Sequence, residues 1–171
     1  DDLTWFVHVS DLHLSKFNAV RTERFELFLE EGLEVISPSF VLVTGDLVDA
    51  KHTDKVRSEQ FPEEWATYKK LLSEHGWWDP DKWIDLRGNH DCFGIGANWE
   101  QPQNLFREWS VTGSHFHGPV REFSFIRDGA SDRPLVDVVT LDACPIVGAK
   151  TPLNFFGRMS TTQLDRLEVE V

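Results

Sequence analysis

The sequence predicts an α/β domain built on a parallel sheet, and three observations carry that prediction. Short apolar segments of strand length alternate with longer segments whose apolar residues recur at helical spacing, in the order β-α-β-α-β. One of the short segments, SFVLVT at 39–44, is apolar almost throughout, as expected of a strand covered on both faces. Three consecutive strand candidates run into polar clusters, SDLHL, TGDLVD and RGNHD, and parallel sheets bind ligands at the carboxyl ends of their strands.

The elements follow in order. WFVHVS (5–10) reads as a strand, and residues 21–36 as a helix with Phe25, Phe28, Leu29, Leu33 and Ile36 near one face. After the strand at 39–44, residues 61–76 place Phe61, Trp65, Tyr68 and Leu72 at helical spacing, and Gly76 closes that helix. KWIDL is the third strand. Beyond Pro102 comes a short helix, then EFSFI and LVDVVTLDA, two strands joined by the turn-rich RDGASDRP. STTQLDRLEVEV opens with a capping box, Ser160 to Gln163, and reads as a final helix. Without repeats or low-complexity linkers, residues 1–171 are read as a single domain.

Composition narrows the function. With 40% hydrophobic residues, 7 Trp and 13 Phe, the chain is too apolar to be disordered. Its net charge of −12, from 17 Lys+Arg against 29 Asp+Glu, and its lack of a basic stripe argue against a nucleic-acid partner. Cys92 and Cys144 are too few for a disulfide framework and lack zinc-ribbon spacing, so the redox compartment stays open. No apolar run approaches the roughly 18 residues of a membrane span.

The three polar clusters have the character of a metal site. Asp11 and His13 are two apart, so an extended backbone would point both the same way. Gly45 and Gly88 permit sharp turns and close approach. A lone Asp after a strand is commonly a helix cap, and a DxH frame arises by chance, but three clusters in order at one edge change that balance. Mixed carboxylate, imidazole and carboxamide ligands suit Mn, Fe or Zn. Two divalent ions about 3.5–4 Å apart can share a carboxylate and a hydroxide, giving a strong nucleophile at neutral pH. A neutral Asn89 would keep such a cluster cationic and attractive to phosphate.

DLH, GDLVD and GNHD, in this order after successive strands, resemble the calcineurin-like metallophosphoesterases. HVSDLHLSKF, VLVTGDLVDAK, RGNHDCF, WSVTG and NFFGRMSTTQL are similar, more narrowly, to the amino-terminal domain of the transmembrane protein 62 family, over nearly the whole chain. The resemblance implies a layered α/β sandwich of metallophosphoesterase type, of which this chain is the amino-terminal portion. It implies hydrolysis of a phosphate ester, two divalent ions (Mn, Fe or Zn), and attack by a metal-bridging hydroxide. Asp11 and His13 would bind the first metal, Asp46 would bridge, and Asn89 would bind the second. His90 would protonate the leaving oxygen and Asp49 would orient it. Family members carry a later GHxH pair that this sequence lacks. The chain is therefore expected to be truncated at its carboxyl end and inactive alone, in a parent protein anchored in a membrane through further segments. A binding or scaffolding module that keeps the fold without catalysis is the alternative, and a nuclease is disfavoured by the acidic composition.

Other residues carry structural expectations. Asp91 should fix its loop through backbone hydrogen bonds. His8 should be a hydrogen-bonded core residue, His52 and His75 should lie at the surface, and Trp77, Trp78 and Trp83 should pack in the core. Arg121 could meet a phosphate, although nothing in the sequence aims it there. His115 and His117 share the DxH spacing, but Gly118 and Pro119 place them in a loop, away from the metal edge.

Overall fold

Three strands, β1 (Phe6–Val9), β2 (Phe40–Val43) and β3 (Trp83–Asp85), pair in parallel in the order β1-β2-β3. These come from a computed structural model that describes residues 4–95, 99–116, 118, 120–125, 136–144 and 157–170. The register sets Phe6 beside Phe40 and Val9 beside Val43, then Val41 beside Trp83 and Val43 beside Asp85. All three strands therefore end together, which brings the loops at 10–16, 44–50 and 86–92 to one edge.

Alternation along the strands divides the core in two. Val41, Val43 and Trp83 join Phe25, Leu29, Leu33, Trp65, Tyr68 and Leu72 on the helical side. Phe40 and Ile84 face the other way, against Leu42, Phe116 and Val138. The helical layer consists of α1 (Ala19–Leu27), a π-helical turn (Phe28–Gly32), α2 (Leu33–Ile36) and α3 (Pro62–Glu74). The helix expected at 21–36 is thus continuous in direction but contains a wide turn. Phe25, Leu29 and Leu33 are spaced by four, a spacing that drifts about 40° per step on an ideal α-helix of 3.6 residues per turn. The wider turn offsets that drift, and all three side chains stay buried.

After α3 the chain forms α4 (Phe106–Trp109) and α5 (Val111–His115), which meet at Ser110. Ser110 caps α5 by accepting from the Gly113 N–H. The buried carboxylate of Asp85, at the end of β3, accepts from the Val111 and Thr112 N–H groups and from the Tyr68 hydroxyl. Burial pushes its carboxyl above the ordinary range, against the pull of those donors. Strands β4 (Val120–Phe125) and β5 (Val136–Leu141) form an antiparallel hairpin, and Val138 packs beneath the second face of the sheet. The last helix, α6 (Thr161–Glu170), has the predicted box: Gln163 N–H donates to Ser160 Oγ, and Ser160 N–H donates to Gln163 Oε1.

The tryptophans behave as expected, with Trp83 fully buried and Trp77 and Trp78 packed on the helical core. His8 does not. It bonds Thr44 Oγ1 through Nε2 at 2.9 Å but is exposed, because among the described residues β1 lies at the edge of the sheet and nothing covers its outer face. His52 and His75 are half-buried rather than on the open surface, and His52 pairs with Glu59 at 2.9 Å.

Candidate metal centre

The loops at the carboxyl edge are joined main chain to main chain before any side chain is considered. Asp11 N–H donates to Gly45 O, His13 N–H to Asp46 O and Leu14 N–H to Leu47 O, at 3.1, 2.8 and 3.0 Å. The first and second loops thereby extend the β1–β2 pairing past the ends of the strands. The third loop is pressed against the second: a Cβ on Gly45 would overlap the Gly88 backbone, and one on Gly88 would overlap the Asp46 carboxylate. These two glycines are needed for loop-to-loop approach as much as for turning.

Asp11, His13 and Asp46 all sit in the left-handed region, with φ of 58°, 48° and 53°. The backbone at 11–13 is therefore a strained turn and not the extended run that the two-residue spacing suggested; β1 has already ended at Val9. For residues other than glycine such conformations cost on the order of 1–3 kcal/mol each and persist only where the surroundings hold them, as the hydrogen bonds just described do. The side chains of Asp11 and His13 still meet, with Oδ1 to Nε2 at 3.5 Å.

His13, Asp46 and His90 each present a ligand-type atom within 4.8 Å of the other two. His13 Nε2 lies 3.6 Å from Asp46 Oδ2, and the His13 and His90 rings meet edge to face at 4.3 Å. Asp46 uses its other oxygen, Oδ1, to accept from the His90 N–H at 2.9 Å. Asp11 is the open side of the group, largely exposed, with Oδ2 taken by the Ser10 hydroxyl. Asn89 is half-buried and leads into a 3-10 turn over His90–Cys92, which sets it one residue before His90 at the same edge.

Asp49 lies behind the two imidazoles. Its Oδ1 is 3.7 Å from His13 Nδ1 and 3.8 Å from His90 Nδ1, and its backbone oxygen bonds His90 Nδ1. A carbonyl oxygen only accepts, so His90 Nδ1 carries the hydrogen and Nε2 is left for another partner. Burial lowers the His90 pKa, and the nearness of His13 and Lys51 adds to that, while Asp46 and the bond to Asp49 oppose it. Arg21 fixes Asp49, with Nη1 at 3.0 Å from Oδ1 and at 3.1 Å from the His13 carbonyl oxygen.

The buried carboxylates beneath this layer are structural. Asp91 accepts from the N–H groups of Leu47, Val48 and Gly88, tying the second loop to the third, as the sequence suggested. Burial pushes its carboxyl up to about 7 against those bonds. Glu64, in the first turn of α3, accepts from Lys16 N–H and Ala50 N–H and is likewise pushed up to about 7 by burial. A disulfide joins Cys92 to Cys144 across 52 residues, anchoring the turn after His90 to the end of β5.

Four of these features went unread in the sequence: Arg21, Glu64, the disulfide and the backbone strain. Arg21 is eight residues from His13 and on a different element, and neither cysteine has a spacing that names its partner. His115 is exposed, with Nδ1 against the Val111 carbonyl oxygen, and stands apart from the cluster. His117 and the Arg121 side chain lie outside the described residues.

Comparison with known proteins agrees with this geometry. A family model described as Calcineurin-like phosphoesterase matches residues 4–151. Transmembrane protein 62 of Mus musculus is 34% identical over 174 residues, covering 98% of this chain and 25% of that protein. A protein of Arabidopsis thaliana that carries metallophosphoesterase as its name is 31% identical over 170 residues, covering 98% of this chain and 22% of its own length. The chain thus spans about a quarter of the length of these relatives. Three loops of one parallel sheet, bringing side chains of metal-ligand type to the same edge, agree with the family's metal dependence, and the chain belongs to the calcineurin-like phosphoesterase family.

Proposed function

We propose that the full-length protein hydrolyses a phosphate ester with two divalent ions, Mn, Fe or Zn, toward which this chain contributes Asp11, His13, Asp46 and Asn89. The observation that carries the reading is the meeting of Asp11 Oδ1, at 3.5 Å, and Asp46 Oδ2, at 3.6 Å, around His13 Nε2, with His90 of the third loop beside them and Asn89 one residue before it. The residues fit a metal: His13 Nδ1 is buried without a hydrogen-bond partner, and two carboxylates stand within 3.6 Å of the same ring's Nε2. Strain at three of the four proposed ligands also fits a preorganised site. Bound there, the ions supply Lewis acidity and a nucleophile derived from water at neutral pH.

The chain's own residues supply the rest. Asp46 sits between the first and third loops, where one carboxylate can serve both ions. Protonated on both nitrogens, His90 would give the Nε2 proton to the departing oxygen and return to the neutral ring whose Nδ1–H bonds the Asp49 oxygen. Asp49 holds His90 through its backbone oxygen and balances the charge of the protonated ring, and Arg21 holds Asp49. The likeness to Transmembrane protein 62 supports a membrane-associated parent protein. No helix among the described residues is long and apolar enough to cross a membrane.

His90→Asn in the full-length protein tests the assignment. Turnover of alkyl phosphates should fall by about 10²–10⁴-fold, the usual contribution of a general acid, while aryl phosphates with good leaving groups lose much less. Metal content should stay at the wild-type level. Equal losses on both substrates would remove the proton-donor role, and loss of an ion would make His90 a ligand.

A further inference from the structure

We propose that Lys51 is the phosphate-binding residue of this site and that it selects dianionic phosphomonoesters over diesters. This rests on the phosphoesterase reading above and goes beyond it to a substrate class.

The argument starts from where positive charge is spent. Of the cations nearest the carboxyl edge, Arg21 pairs with Asp49 at 3.0 Å, Lys16 with Glu63 at 3.2 Å and Arg87 with Asp142 at 2.6 Å. Lys51 differs: among the described residues no carboxylate comes within ion-pair distance of its ammonium group. In a chain of net charge −12, a half-buried cation with no carboxylate beside it among the described residues is open to an anion. Partial burial of an ammonium costs free energy that an anionic partner offsets, so this geometry favours an anion from outside.

Its place is fixed. Lys51 follows the GDLVDA loop directly and pairs with Ser58 in an antiparallel bridge, flanked by hydrogen bonds from Glu59 N–H to Ala50 O and from His52 N–H to Arg57 O. Its Nζ lies 5.7 Å from the centre of the Phe93 ring, and that ring lies 4.6 Å from the His90 ring. Gln60 clasps the other side of the same loop by donating to the His90 and Phe93 carbonyl oxygens. The Phe93 ring thus lies between the two groups, with the ammonium no more than about 10 Å from the His90 ring.

A cation so placed discriminates by charge. A phosphomonoester, with a second pKa near 6, carries close to two negative charges at pH 7, whereas a diester carries one. The Coulomb attraction to a fixed ammonium scales with that charge.

The test is a calorimetric titration of the metal-loaded full-length protein with inorganic phosphate and with dimethyl phosphate, on wild type, Lys51→Met, Lys51→Gln and Lys51→Arg. Metal content and thermal midpoint serve as folding controls. Losing a charge-assisted hydrogen bond should weaken inorganic phosphate binding by about tenfold or more in the Met and Gln variants. The monoanion should lose only about threefold, the square root of that factor, and Arg should restore most of the affinity. Unchanged phosphate affinity in folded Met and Gln variants, or no phosphate binding by wild type, would overturn the assignment; equal losses for both anions would overturn the selectivity. Phosphate binding that depends on Lys51 in a protein without ester turnover would sink the phosphoesterase reading instead and leave Lys51 as an anion site.

Discussion

Asp91→Ala is expected to cost this domain at least about 3 kcal/mol, because each of three buried backbone donors left without a partner costs about 1–3 kcal/mol. The Asp91 carboxylate accepts from Leu47, Val48 and Gly88 and is fully buried, so the alanine variant strands three N–H groups at once. Domains of this size are stable by about 5–15 kcal/mol, so the variant should unfold at much lower denaturant. Asp91→Asn should fall between the two, since it keeps one acceptor oxygen and turns an amide N–H₂ toward donors. Urea titration followed by tryptophan fluorescence measures the loss; an alanine variant within about 1 kcal/mol of wild type would show that Asp91 does not hold the loops together.

Asp46→Asn should do the opposite: leave the fold and remove the chemistry. At φ 53° the backbone is in a region asparagine tolerates better than most residues, and the amide oxygen can keep the bond from the His90 N–H. What changes is the charge shared between the proposed ions. Losing a Lewis-acid ligand worth several kcal/mol should lower turnover by at least about 10³-fold, with stability within about 1 kcal/mol of wild type. Turnover within tenfold of wild type, or two ions still held by the variant, would sink the bridging role.

The sequence made the parallel core legible because its signals are local. Apolar alternation and helical spacing mark each element, and three polar clusters at the ends of consecutive strands mark the edge. Asp91 and the Ser160–Gln163 box were readable for the same reason: the motifs that place them span only a few residues. What stayed hidden depends on distant partners. Whether His8 is covered depends on what lies outside β1, and Arg21 meets Asp49 only once α1 docks. Cys92 finds Cys144 across the hairpin, and the lack of an acidic partner for Lys51 is visible only in three dimensions. The left-handed turn at Asp11–His13 was missed for another reason. Asp and His enter that region more readily than most residues, but the tendency is too weak to mark these positions; pairing to Gly45 and Asp46 imposes it.

The most direct test of the central claim is elemental analysis of the purified full-length protein, coupled to hydrolysis of an aryl phosphate before and after chelation. The account predicts two equivalents of Mn, Fe or Zn per chain, turnover that disappears with the metal, and recovery when a divalent ion of that set returns. Full activity that survives chelation, or undiminished activity with one ion or none per chain, would contradict it.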